Sequence, residues 1–102
     1  MKVFKEALYS PNGTDARSTI STSVVAATSI LALTGATNAV FVDVQAQPVN
    51  VTFDGSDPAG GTNGHQLAAG YNAIWSKPMW TSARFIRQGA SDAAVQVTPL
   101  TN

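Results

Sequence analysis

The chain has 102 residues, no cysteine, and a formal net charge of zero from six basic and six acidic side chains. Sparse, balanced charge argues against a nucleic-acid-binding protein, which needs a dense basic face. Without cysteine neither disulfides nor thiolate zinc sites can form. A chain of this length makes one domain with a thin core. Because oligomerisation commonly stabilises such a core, we expect a homo-oligomer.

The first 18 residues differ in character from the rest. They show no sustained periodicity, and the turn-forming stretch SPNGTD occupies residues 10–15. Four apolar residues stand before it: Val3, Phe4, Leu8 and Tyr9. This beginning is too apolar for a disordered tail, so we predict an extended N-terminal arm over residues 1–18. The arm would dock on its own domain or on a neighbouring subunit, and the turn-rich stretch favours the neighbour.

Residues 19–39 are apolar and end in small residues, as the core of a signal peptide does. A long polar stretch with acidic residues precedes them, however, and many serines and threonines weaken a membrane span. We therefore predict that they form part of the fold. Within them, residues 21–33 fit a helix capped by Ser23 and stopped by Gly35, or a strand. We predict a strand, because the other elements are β.

Period-two alternation begins at residue 39 and predicts two strands, residues 40–46 and 49–53. The apolar positions on their inward faces are Val40, Val42, Val44, Ala46, Val49, Val51 and Phe53. Pro48 lies between the strands and cannot donate to a β-ladder, so the chain turns there. We predict that the two strands pair as an antiparallel hairpin with one buried face.

The second half contains a loop and four further predicted strands. Residues 54–64 hold four glycines, a proline and two aspartates, which predicts an exposed, mobile loop. A strand from residue 65, a turn at residues 69–70, and strands over residues 71–77, 80–88 and 93–100 follow, the last with Ala93, Val95 and Val97 inward. Strands 71–77 and 80–88 are apolar on both faces, so each is central in a sheet or covered by a partner. Regular short strands indicate a sandwich or small barrel.

Residues able to form a catalytic or metal site are few, and each has a structural explanation. His65 lacks an identifiable nucleophile and carboxylate around it. Asp54, Ser56 and Asp57 offer oxygen atoms without the spacing of an EF-hand, and aspartates beside glycine and proline commonly form turns. The glycines of this loop match neither a dinucleotide fingerprint nor a P-loop. We therefore predict no enzyme activity, no cofactor and no metal site.

Aromatic and arginine side chains supply the remaining candidates for binding. Tryptophan and arginine are enriched in interface hot spots, and exposed tryptophans could stack on sugars. Small cores also use aromatic residues heavily, so burial of at least one tryptophan is the competing interpretation. The predicted partner contacts are Val3, Phe4, Leu8, Tyr9, Tyr71, Trp75, Trp80, Arg84 and Arg87.

Residues 39–100 resemble a pattern found in small virion proteins of tailed bacteriophages. The matching segments are VNVTFDG at 49–55, LAAG at 67–70, IWSKPMW at 74–80, ARFIRQG at 83–89 and VQVTPL at 95–100. The resemblance implies a β-sandwich or jelly-roll module that decorates the head or belongs to the head–tail apparatus. It brings no catalytic residue with it.

These observations together predict an all-β fold: a jelly-roll-like antiparallel β-sandwich over residues 19–102, preceded by the arm. The resemblance implies a capsid decoration or cement protein, assembled in the bacterial host cytoplasm and located in the virion. Its partners would be further copies of itself and the major capsid protein or other virion proteins, without nucleic acid or membrane. The alternatives are a head–tail or tail component and, from another class, a carbohydrate-binding module that uses Trp75 and Trp80.

Overall fold

A computed structural model describes residues 9–59 and 63–102. Its strands are β1 (Ser10–Pro11), β2 (Ala16–Ile20), β3 (Val25–Ala26), β4 (Ala39–Gln45), β5 (Val49–Thr52), β6 (His65–Leu67), β7 (Asn72–Ser76), β8 (Arg84–Arg87) and β9 (Ala93–Thr101). Two short helices lie between strands: α1 (Ala27–Ile30) and α2 (Lys77–Ser82). The described chain is therefore mostly β, as the sequence predicts.

The strands form two antiparallel sheets. In sheet A, β4 lies between β7 and β9, and the other side of β9 pairs with both β1 and β2. In sheet B the order is β3-β8-β5-β6. Sheet A thus joins the first described strands to the last one, so it forms only when distant parts of the chain meet.

Side chains from both sheets form one hydrophobic core. Its largest members are Ile20, Val40, Val42, Val44, Val49, Val51, Trp75, Trp80, Phe85, Val95 and Val97. Burying each valine contributes about 1.5–3 kcal/mol. A one-residue slip of β4 would turn its three valines outward and Asp43 inward, so this face fixes the register of the strand.

The predicted pairing of residues 40–46 with residues 49–53 is wrong. β4 belongs to sheet A and β5 to sheet B, and the turn between them carries the chain from one sheet to the other. Ala46 takes the left-handed conformation there, with φ of 72°. The alternating pattern indicates which face of a strand is buried. Two successive strands show the same pattern whether they pair as a hairpin or enter different sheets, so the pattern does not identify the partner of a strand.

Residues 21–33 form neither the single strand nor the single helix considered for them. They contain the two-residue strand β3 and the single-turn helix α1. The N-cap of α1 is Ala26 rather than Ser23, so the strand prediction holds for two residues only. Four helical residues are too few to show a helical period in the sequence.

The predicted strand over residues 80–88 begins too early. Its first residues belong to α2, whose N-cap is Ser76 and which carries a proline in its first turn. The Ser76 Oγ accepts a hydrogen bond from the Met79 N–H at 3.4 Å. A serine N-cap with a proline in the first helical turn is a helix-start signal, and Ser76 and Pro78 provide it in the sequence. The strand itself, β8, starts at Arg84.

The positions of the other strands predicted in the second half are confirmed, but β7, expected to be central or covered by a partner, lies at an edge of sheet A. β6 and β7 flank a turn at residues 69–70, where Gly70 has a φ of +94°. In β9 the side chains of Ala93, Val95 and Val97 enter the core.

The predicted boundary between arm and domain lies inside β2. Residues 10–15, expected to separate the two, are bonded to β9: the Asn12 N–H donates to the Pro99 carbonyl at 2.8 Å, and the Thr98 hydroxyl donates to Asp15 at 2.7 Å. The pairing with β9 slips by two residues between β1 and β2. This slip falls opposite Pro99, which has no N–H to offer.

Candidate functional site

Both tryptophans predicted as partner contacts are core residues, which corrects that prediction. Trp75 is 1% exposed and Trp80 0%. The Trp75 ring stacks on Phe85 with 6.0 Å between centroids, and its Nε1 donates to the Tyr71 hydroxyl at 3.0 Å. The Trp80 Nε1 donates to the Leu31 carbonyl at 2.9 Å. Aromatic area stabilises this small core, so neither ring is available to a protein partner or a sugar.

Tyr71 is half-buried, and its hydroxyl serves as the acceptor for the indole of Trp75. The two predicted arginines lie at the surface but are paired within the chain. Arg84 bonds Asp57 at 2.7 Å and Arg87 bonds Asp92 at 2.8 Å, with side chains 40% and 25% exposed. Pairs this exposed contribute about 1 kcal/mol or less. The first pair links β8 to the loop after β5, and the second links β8 to the turn before β9.

Of the predicted arm contacts, Val3, Phe4 and Leu8 lie outside the described residues. Tyr9 is described, and it lines a groove of about 280 Å³ on the outer face of sheet A. The lining residues of the groove are Tyr9, Phe41, Ile74, Thr98 and Leu100.

The register of sheet A builds this groove. Val40 and Val42 face the core, so Phe41 between them faces outward. Phe41 pairs with Ile74 on β7 and with Thr98 on β9, which sets three side chains in a row across three strands. Sequence reasoning missed this row, although a phenylalanine on the face opposite the valines was the available signal.

Beyond the groove the outer face of sheet A becomes polar. The Gln45 amide donates to Asp43 at 2.9 Å, and Arg17 donates to Gln96 at 3.1 Å and also to Gln45. These side chains thus provide hydrogen-bond partners for one another. The outer face of sheet A has an apolar half, the groove, and a polar half whose members are bonded together.

On the outer face of sheet B, the side chains of β5 are covered by the chain itself. Asn50 on β5 is 3% exposed, and its amide donates to the carbonyls of Ala59 at 3.0 Å and Asn63 at 2.6 Å. The Thr52 hydroxyl donates to the Ser56 carbonyl at 2.6 Å. The loop that we predicted as exposed and mobile is exposed over residues 54–57, but these bonds fasten it to β5. We call its described part, residues 54–59 and Asn63, the covering loop.

A second pocket, of about 290 Å³, lies where the covering loop meets β6. It is lined by Thr52, Phe53, Asp54, Ser56, Asn63, Gly64 and His65. Hydrogen bonds from the Ser56 hydroxyl at 2.5 Å and from the Ser56 N–H at 3.0 Å lower the pKa of Asp54. The Asn63 amide bonds the backbone of Ala59 and Asp57. Most polar groups of this pocket therefore bond within the loop.

Within residues 9–59 and 63–102, no group of three or more His, Cys, Asp or Glu side chains is placed to hold a metal ion. None of the helices in the described part of the chain is long and apolar enough to cross a membrane. The chain has no significant match among protein-family models, curated proteins or solved structures.

Proposed function

We propose that this protein is a structural component of a tailed-bacteriophage virion, a capsid decoration or cement protein that acts as a multimer. The observation that carries the proposal is the order in which the strands pair. Fold alone does not specify function, so the resemblance of residues 39–100 to small virion proteins is its second support.

The strand pairs are nested. β2 pairs with β9, β3 with β8, β4 with β7 and β5 with β6. The chain from β2 to β9 is thus one long antiparallel hairpin whose strands are divided between two sheets, in the orders β2-β9-β4-β7 and β3-β8-β5-β6. This nesting supports a jelly roll, the eight-stranded fold of many viral capsid domains.

The proposed mechanism is burial of surface between subunits and against the capsid. A standard interface buries about 800 Å² on each partner, and no catalytic group is needed for it. Zero net charge removes the repulsion that keeps free copies apart. Sedimentation of the purified protein at micromolar concentration should therefore show a multimer.

The decisive experiment is quantitative mass spectrometry on purified particles of the phage that carries this gene. A decoration protein should be present at a copy number comparable to that of the major capsid protein. Particles that lack it should rebind the recombinant protein and resist heat better afterwards. A small fixed copy number would instead favour the head–tail or tail alternative. Absence of the protein from particles would refute the proposal.

The carbohydrate-binding alternative loses the residues on which it depended. Both tryptophans are buried, and their indole nitrogens already donate within the chain. Jelly rolls do occur among lectins, so a glycan array is a useful control for the particle-binding assay.

A further inference from the structure

We propose that two copies of this protein pair along the free edge of β7, so that their two A sheets join into one continuous sheet across a two-fold axis. Within the described part of the chain, β7 has β4 as its neighbour on one side and no strand on the other. The pairing gives the multimer of the proposed function its first contact and rests on it. It is tested on the free protein, so its failure is distinct from absence of the protein from particles.

The hydrogen bonds to β4 determine which backbone groups of β7 face its free edge. At one end the Val44 N–H donates to the Tyr71 carbonyl at 2.8 Å. At the other end the Lys77 N–H donates to the Asn38 carbonyl at 3.2 Å. Hydrogen-bonded positions alternate along an antiparallel strand, so the odd-numbered residues of β7 bond to β4. The even-numbered residues direct their backbone groups to the free edge, and they are Asn72, Ile74 and Ser76.

β7 lacks the features that keep edge strands from pairing. Natural proteins shorten such strands or place a proline or a charge on them. The other described edges follow this rule, because β3 and β6 have two and three residues, β1 contains Pro11 and β2 contains Arg17. β7 has five residues, NAIWS, without charge or proline. Its edge is therefore open to another strand.

The free edge of β7 fits a second copy of itself. When two copies run antiparallel about Ile74, Ile74 faces Ile74, and Asn72 faces Ser76 on each side of the axis. The two Ile74 residues then exchange N–H···O=C bonds, and each Ser76 N–H meets the Asn72 carbonyl of the other copy. The Ser76 carbonyl takes no part, because an N-cap carbonyl accepts the first hydrogen bond of its helix. Main-chain bonds of this kind provide the affinity when a strand is added to a sheet.

The side chains of β7 also favour a second copy. Sequence analysis expected a strand apolar on both faces to be central or covered by a partner, and β7 lies at an edge, which leaves the partner. Trp75 faces the core at 1% exposure, whereas Ile74 lies on the outer face and is partly exposed. Pairing about Ile74 brings the two isoleucines together. Zero net charge adds no repulsion between copies, and two-fold dimers are the commonest assemblies.

A disulfide between two copies tests the pairing and its register. The chain has no cysteine, so Ile74→Cys creates a single thiol in each copy. Hydrogen-bonded partners lie about 5.5 Å apart between Cα atoms, which a disulfide spans. Mild oxidation should therefore link Ile74→Cys into dimers, seen on a non-reducing gel. Asn72→Cys is the matched control on the same edge, because its two copies lie about 14 Å apart along the strands.

Asn72→Cys should link at least about ten times more slowly by itself, but readily when it is mixed with Ser76→Cys. Equal rates for Ile74→Cys and Asn72→Cys would mean that random collision forms the disulfide, which overturns the proposal. A wild-type protein that sediments only as a monomer at its highest soluble concentration would also overturn it. Circular dichroism checks that each variant is folded.

A charge exchange at residue 74 provides an independent test. Ile74→Lys and Ile74→Glu each place like charges opposite one another, so each variant alone should form dimers at least about tenfold more weakly. Mixing the two should restore dimers, because opposite charges then meet. Thr98→Lys is the control, since it places a charge on the same face but two strands from the edge, and it should dimerise as the wild type does. Failure of the mixture to restore dimers, or loss of dimers in Thr98→Lys, would refute pairing through β7.

Discussion

The substitution Asn50→Asp tests how the covering loop is held on sheet B. Asn50 is 3% exposed, and its amide nitrogen donates to the carbonyl oxygens of Ala59 at 3.0 Å and Asn63 at 2.6 Å. Aspartate has nearly the same shape, but an ionised carboxylate has no donor and would face two carbonyl oxygens. The change therefore reverses the electrostatics of the contact without altering its volume.

The expected loss at neutral pH is about 3 kcal/mol. The two lost hydrogen bonds account for about 1 kcal/mol each. A buried acceptor that faces two other acceptors adds about 1 kcal/mol more. For a domain of this size that lowers the melting temperature by about 12–24 °C. The loss of stability cannot exceed the free energy needed to detach the covering loop, because a detached loop leaves the carboxylate in contact with water.

The loss should depend on pH in a defined direction. Burial beside carbonyl oxygens raises the pKa of the new carboxyl group in the folded state above its unfolded value. The folded state then holds its proton more tightly, so stability is retained below about pH 4 and is lost as the pH rises from there towards the folded-state value. Part of the loss should therefore be recovered near pH 4, where the protonated acid can donate one hydrogen bond.

Thermal unfolding followed by near-ultraviolet circular dichroism measures both effects. Asn72→Asp is the matched control, since Asn72 is exposed and its amide makes one hydrogen bond, to the Gly70 carbonyl at 3.2 Å. If both variants melt within a few degrees of each other at neutral pH, Asn50 does not fasten the loop and the reasoning fails.

Three further predictions concern single contacts. Gly64→Ala should lower the free energy of unfolding in urea by about 2 kcal/mol or more, because Gly64 has a φ of +95° and the added Cβ would lie 2.8 Å from the Val51 carbonyl oxygen. Gly55→Ala is the control and should lower it less, because Gly55 has a φ of +84° but lies in open space. Trp80→Ala should cost about 3–5 kcal/mol in the same assay, and a loss near zero would contradict its place in the core. NMR titration should place the pKa of Asp54 below its ordinary value. The stability this provides is present above the unfolded-state pKa and lost as the pH falls through the folded-state value; Ser56→Ala should raise that pKa without fully restoring it, because the Ser56 N–H still donates.

Sequence reasoning predicted the faces of the strands better than their partners. The alternation around Val42 and Val95 identified β4 and β9 and their inward sides. It could not reveal that β9 pairs with β2, far away in sequence, or that β4 and β5 enter different sheets. Side-chain alternation records burial alone, whereas pairing depends on contacts between distant segments.

The candidate contacts show the same limit. Trp75 and Trp80 were predicted at an interface because tryptophan is common in hot spots, and the structure places both in the core. Tryptophan is common both at interfaces and in small cores, so its presence in a sequence does not distinguish the two. Phe41 was the better indication of the groove, because it is an apolar residue on the face that alternation assigns to solvent.

The covering loop restricts how subunits can associate. Because the loop lies over Asn50 and Thr52 on β5, contacts between copies must use other surfaces. The ends of the described sheets, at β1, β2 and β7 in sheet A and at β3 and β6 in sheet B, are such surfaces, since an edge strand has unpaired backbone groups. The groove on sheet A is the other surface, because Phe41 and Ile74 in its lining are apolar. Sedimentation of the Phe41→Asp variant distinguishes the two routes: association through strand edges should persist unchanged, whereas association through the groove should weaken, because the new carboxylate would have to be buried.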